Sequence, residues 1–242
     1  MTTEARHHPA KRHTAFALVM AGLSVVFIAL GTWQVQRLFW KLDLIERVDA
    51  RVHAAPVPAP APHTWPAITA ANYEYRHVIA QGTFDHAKET FVQAVTELGP
   101  GFWVLTPLTT TEGQTILINR GFVPAEKRDP ATRTASLTNG MTTISGLLRM
   151  SEPGGGFLRS NDPSADRWYS RDVAAIAAAK GLANVAPYFI DADKMSSPGE
   201  YPVGGLTVVK FRNSHLVYAV TWYALAIMAI TASFFLLRRK KV

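Results

Sequence analysis

The chain contains no cysteine. That absence excludes disulfides, a thiolate metal site and a thiol nucleophile, and it leaves the redox compartment unread. The spacings of the common catalytic motifs are missing too: there is no G-x-S-x-G, P-loop, G-x-G-x-x-G or H-E-x-x-H. "EPGGGF" (Glu152 to Phe157) is glycine-rich but has no strand–loop–helix context, so it reads as a flexible loop. Methionine and histidine are dispersed, unlike the dense clusters that deliver copper. Asp191 and Asp193 of "DAD" read as a solvated strand end, and His77 and His86 as surface residues on or beside strands.

Net charge is +7, but the excess is local. Between Glu46 and Arg212 there are 16 basic and 16 acidic residues, so the middle of the chain is neutral. The surplus flanks two apolar runs, with no basic groove of interleaved aromatics, which argues against a nucleic-acid partner.

The first run, Ala15 to Trp33, is charge-free and long enough for a hydrocarbon core of about 30 Å. It exceeds a usual signal-peptide core, no A-x-A-like site follows, and helical spacing continues through Arg37, Trp40, Leu44 and Val48. The second, Leu216 to Leu237, ends on Arg-Arg-Lys-Lys, a stop-transfer flank that also suits anionic lipid head groups. The expected plan is a membrane hairpin with both termini cytoplasmic and a β-rich, mixed α+β domain inserted between the spans. Its parts are a tail (1–13), a first span with an extension (14–51), a Pro-rich linker (52–67), a periplasmic domain (68–212), a second span (213–237) and a basic tail (238–242). The linker, with "AAPVPAPAPHTWPA", is expected as an extended spacer outside any core. Small residues four apart, Ala17 with Ala21 and Ala229 with Ser233, mark candidate packing faces.

In the domain, short alternating segments predict strands in an antiparallel sheet or barrel: "YRHVIAQGTF", "ETFVQAV", "GFWVLTPLTT", "TILINRGFVP", "TTISGLLRM", "RWYS", "APYFIDA" and "LTVVKFR". One helix is predicted over Asp172 to Lys180, with Asp172 at its start and Gly181 closing it. "NRG" (Asn119 to Gly121) suggests a bulge or tight bend, with Arg120 in a structural role.

A two-span plan brings the end of the first helix and the start of the second to one leaflet. There Trp33, Arg37, Trp40 and Lys41 meet Lys210, Arg212, His215, Tyr218 and Trp222. Positions 215, 218 and 222 share a helix face, as do 33 and 40. Two readings stay open on the residues alone. One is an interfacial belt of aromatics with snorkelling cations. The other is an aromatic-walled slot for a flat, apolar, anionic ligand that takes an axial nitrogen, a profile that haem has.

Four stretches resemble one known family, the surfeit-locus-protein-one family of cytochrome c oxidase assembly factors. They are "LGTWQVQRLFWKLDLI", "INRGFVP", "FLRSNDPSADRWYSRDVAAIAAAKGL" and "RNSHLVYAVTWYALA", in the family's order and spacing; Phe122 stands where many relatives have Trp. The resemblance implies a non-enzymatic bacterial inner-membrane factor that binds haem a and aids its insertion into oxidase subunit I, with haem a synthase as a further partner. It makes His215 the iron ligand. Trp222, Tyr218 and Trp33 would then pack the macrocycle, and Arg37, Arg212, Lys41 and Lys210 would pair its propionates. The alternative it leaves is a haem-free scaffold for an oxidase assembly intermediate.

Overall fold

The computed structural model describes residues 9–194, 200–209 and 211–238, with the side chains of 9–13 left aside. It divides into two units, residues 1–47 with 210–242 and residues 48–209.

The first unit is a pair of helices. α1 runs over Pro9–Val52 and α4 over His215–Arg238; the one-turn α2 (Ala70–Tyr73) and a third helix belong to the second unit. α1 and α4 are both long and apolar enough to cross a membrane. At 1.5 Å per residue α1 is about 66 Å long, roughly twice a hydrocarbon core, so its last turns extend beyond one. The helices pack antiparallel, as three contacts show: Gln34 with His215, Phe27 with Trp222, and Ala17 with Ser233. The packed residues recur at alternating spacings of four and three. On α1 they include Ala17, Ser24, Phe27, Gly31 and Gln34; on α4, His215, Ala219, Trp222, Ala226, Ala229 and Ser233. That is the seam of a coiled-coil-like pair. Small side chains let the backbones approach: Ser233 Oγ donates to the Ala17 carbonyl at 3.0 Å, and a Cβ on Gly31 would lie 2.8 Å from the Tyr223 ring. The expected pair Ala229 and Ser233 faces the partner helix, and so does Ala17; Ala21 points outward.

The second unit is a small closed barrel. Its strands are β1 (Val57–Pro58), β2 (His77–Phe84), β3 (Thr90–Thr96), β4 (Gly99–Thr110), β5 (Thr115–Pro124), β6 (Met141–Met150) and β7 (Val185–Ala192). The sheet order is β1-β2-β6-β7-β5-β4-β3, and a further β2–β4 pairing closes five strands into a ring. Most pairs are antiparallel; β5–β7 and β1–β2 are parallel. At the closure Gly82 meets the Thr109 carbonyl so closely that a Cβ would sit 2.3 Å from its oxygen. Alternation in β2 and β7 puts Val78, Ala80, Phe84, Tyr188 and Ile190 inside, with Ile116, Ile118, Ile144 and Leu148. A second cluster (Leu117, Phe189, Trp168, Val173, Ile176) covers the outer face under the helix α3, Val173–Ala179. β5 is therefore buried on both faces, which explains its unbroken apolar start. Asp172 caps α3, accepting from Ala175 N at 3.1 Å, and Gly181 takes φ +59 behind it.

Four expectations are corrected. The Pro-rich stretch is not a spacer. β1 pairs with Val78 and Ile79 on the edge of β2 that β4 takes up from Gly82 onward, so it fills the gap in the wall. Ala59 and Trp65 pack against the barrel interior, and the Pro60 carbonyl accepts from Trp65 Nε1 and Tyr188 OH, each at 3.0 Å. "RWYS" forms no strand but two isolated bridges, Trp168 to Val92 and Arg167 to Asp162, and Trp168 turns into the core. Of "LTVVKFR", the described residues 206–209 and 211–212 join no strand, and Val208 is two-thirds exposed. Asp191 is not solvated but 4% exposed. It accepts from Asn119 Nδ2 (2.7 Å), Arg149 Nη1 (2.9 Å), Arg171 Nη1 (3.0 Å) and Thr207 Oγ1 (3.0 Å).

"NRG" is the expected bulge, opposite the register shift between Trp103 and Leu105. Gly121 sits at φ +127 against the Val203 carbonyl, where no side chain fits. Arg120 turns inward to Glu89 at 3.0 Å, and Arg133 meets the same carboxylate at 2.5 Å. Burial opposes ionisation of Glu89, but the Arg133 hydrogen bond and the two guanidinium charges outweigh it and hold its pKa below the usual range.

Candidate functional site

The site expected from the sequence lies in the helical pair. α4 begins at His215, whose backbone N–H is 3.4 Å from Asn213 Oδ1. The helix therefore starts where the imidazole is needed, and the seam turns that imidazole toward α1. His215 Nδ1 lies 2.7 Å from Oε1 of Gln34, itself only 9% exposed.

The other expected residues divide. Trp222 is in the seam, stacked on Phe27 with ring centres 5.7 Å apart. Tyr218 is 55% exposed and Trp33 51% exposed, both off the seam. The space between the helices is thus filled: Phe27, Trp222, Gly31 and Tyr223 leave no slot for a macrocycle there. The aromatic group does not vanish but moves to a flank. Counting about 100° per residue from the seam puts Trp33, Arg37 and Tyr218 on one side of the hairpin. Tyr223 lies on the other, 3.1 Å from Thr32 Oγ1.

The cations at this end have aromatic partners or none. Arg37 lies over the Trp40 ring at 4.5 Å and Lys41 over the Phe211 ring at 4.8 Å. Among the described residues no carboxylate pairs with Arg37, Lys41 or Arg212. Lys210, expected beside them, lies outside the described residues. Three positive groups without a counter-charge at one end of an apolar pair suit an anionic ligand or head group.

These features meet the demands of haem in kind: an imidazole with one nitrogen already engaged, exposed aromatic faces on one flank, and free cations for carboxylates. Gln34 is the member that residue types alone do not reveal. Its signal was the seam register it shares with Ala17, Ser24 and Gly31.

The barrel holds a second histidine cluster. His77 Nε2 is 2.8 Å from Asp193 Oδ2, and Ser145 Oγ donates to the same oxygen at 2.6 Å. The carboxylate lies between hydroxyl and imidazole, so this is not the order of a hydrolytic triad. His77 and His86, expected at the surface, are largely buried with acidic partners; His86 Nδ1 is 3.5 Å from Glu89. Among the described residues no group of three metal-binding side chains occurs.

The chain matches the SURF1 family over residues 21–227. It is 40% identical over 225 residues to Surfeit locus protein 1 of Homo sapiens, covering 86% of this chain and 73% of that one. It is 40% identical over 212 residues to Surfeit locus protein 1 of Rattus norvegicus, covering 81% and 67%. It is 33% identical over 244 residues to the SURF1-like protein of Monosiga brevicollis, covering 96% and 90%. These relatives are eukaryotic, so they speak to descent and not to a bacterial compartment. The matched range takes in Gln34, the barrel and the α4 segment from His215 to Trp222, and with it this chain belongs to the SURF1 family.

Proposed function

We propose that this protein is a membrane-embedded, non-enzymatic assembly factor for haem–copper oxidases that carries haem a to the catalytic subunit. α1 and α4 span a bacterial inner membrane with both termini cytoplasmic, and the barrel lies in the periplasm. Family membership and the sequence resemblance support the assembly role. The observation that carries the haem reading is His215, set in the helix seam with three uncompensated cations at its end of the pair. The His215 imidazole would hold the iron. Trp33 and Tyr218 offer exposed aromatic surface on the flank, with Trp222 partly buried in the seam. Arg37, Arg212 and Lys41 would meet the propionates. Oxidase subunit I receives the cargo, and haem a synthase is its natural source.

The filled seam favours a flank site, open to lipid and to a partner helix, over an enclosed one. An open flank suits handover, because release needs no separation of α1 from α4. The same flank would serve a haem-free scaffold that packs against subunit helices, so a spectrum decides between them. The protein is purified from cells that make haem a, and visible spectra are recorded for wild type and His215→Ala. Bound haem in the wild type, lost or shifted in the variant, is expected. A haem-free wild type overturns the carrier role; an unchanged variant overturns the ligand.

A further inference from the structure

The seam of α1 and α4 is built from small and apolar side chains, with one exception on α1. Gln34 occupies a seam position in register with Ala17, Ser24 and Gly31, and it is 9% exposed. A carboxamide buried in an apolar helix pair is costly unless it is hydrogen-bonded. Its partner is His215 Nδ1 at 2.7 Å. An amide oxygen only accepts, so a hydrogen bond to Gln34 Oε1 requires the proton on Nδ1. In a neutral imidazole the lone pair is then on Nε2.

We infer that Gln34 is a positioning residue: it fixes the ring angle of His215 and holds the tautomer that presents Nε2 as a free donor atom. This deepens the reading of His215 as an iron ligand and rests on it for its purpose, though not for its test. The logic is that of an outer-shell partner, which orients a ligating imidazole and raises its basicity by accepting from the far nitrogen. Placement on α1 adds rigidity. Gln34 lies three residues beyond Gly31, whose backbone is pressed against the Tyr223 ring, and seven beyond Phe27, which stacks on Trp222. Both contacts lie on the N-terminal side of Gln34 and hold this stretch of α1 against α4, which keeps the acceptor beside the imidazole. A hydrogen bond serving only hairpin stability would fix the same tautomer, so rescue of haem affinity by an acceptor at position 34 is what separates a positioning role from a structural one.

The test uses the full-length protein in micelles, labelled with ¹⁵N-histidine and made in cells without haem a. Two-bond proton–nitrogen spectra in alkaline buffer read the tautomer, and His215→Ala identifies the signal. Protonated Nδ1 with bare Nε2 is expected in the wild type and in Gln34→Glu, which keeps an acceptor. Gln34→Leu is expected to lose that preference. Titration with ferric haem then shows affinity falling by about 10–100-fold in Gln34→Leu and recovering in Gln34→Glu. A wild type protonated on Nε2 overturns the inference without any variant, as does an unchanged tautomer in Gln34→Leu. If the tautomer is as stated but the wild type binds no haem, the carrier reading fails and the assignment to Gln34 stands.

Discussion

Replacing Asp191 by alanine removes the centre of the charged network on the barrel wall. Its carboxylate is 4% exposed and accepts from Asn119, Arg149, Arg171 and Thr207. The two arginines keep other partners, Glu74 for Arg149 and Glu152 for Arg171, so their charges are not wholly abandoned. Asn119 and Thr207 lose those acceptors. Deleting one member of a buried ion pair costs about 3–5 kcal/mol, mainly through the charge left behind. Taking about 4 kcal/mol and a urea dependence of about 2 kcal/mol per molar, the unfolding midpoint falls by about 2 M. The fluorescence of Trp168, fully buried in the outer cluster, reports the transition. Asp191→Asn keeps an acceptor oxygen and is expected to cost less than the alanine variant. In Arg171→Ala the alanine substitution at 191 is expected to cost less than it does alone, because one of the stranded charges is gone. A midpoint shift below about 0.5 M for Asp191→Ala would refute the reasoning and return Asp191 to a solvated role.

Three further outcomes are expected. Burial works against a charged His77, but its hydrogen bonds to Asp193 and the Ala54 carbonyl and the Asp193 charge prevail, raising its pKa above 6.5. Its stabilisation is therefore full below pH 6.5 and lost as pH rises through the folded value, so a thermal melting profile falls over that window and flattens in His77→Gln. Gly31→Leu drives a side chain into Tyr223, at a cost of about 1–3 kcal/mol. Because the chain is cysteine-free, a lone disulfide between Ala17→Cys and Ser233→Cys measures the pair cleanly, and its yield drops in the Gly31→Leu background; an unchanged yield would contradict the seam. Trp65→Ala lowers barrel stability by about 2–3 kcal/mol, below the full cost of a wholly buried Trp, whereas a free Pro-rich spacer would show none in chemical denaturation.

What was legible in the sequence is what depends on near neighbours. β2 to β7 were visible because alternation and Gly, Pro and Asn punctuation are local signals, and α3 was visible from its cap and closing glycine. "RWYS" and "LTVVKFR" carry the same local signal, yet the first makes only isolated bridges and the described residues of the second join no strand. Proline count made 54–67 read as a spacer, although a two-residue parallel pairing and one Trp suffice to dock it. Asp191 and His77 were misread for one reason: their partners lie 72 and 116 residues away, at Asn119 and Asp193. At the candidate site, topology correctly joined Arg37, Lys41 and His215 at one end. Helix-face counting on α4 alone grouped Tyr218 with His215 and Trp222; it took the contacts of both helices to show Tyr218 outside the seam and Gln34 within it.

The position of β7 bears on how the barrel comes to exist. This strand is late in the chain, yet it lies between β6 and β5, antiparallel to one and parallel to the other. During synthesis the first six strands emerge with a gap in the wall. The facing edges of β5 and β6 stay unpaired, and Ile118, Ile144 and Leu148 stay wet, until residues 185–192 arrive. Such a topology folds slowly and offers sticky edges while it waits. The nascent chain is therefore most vulnerable to misassociation just before its last strand inserts, with α4 still to be made.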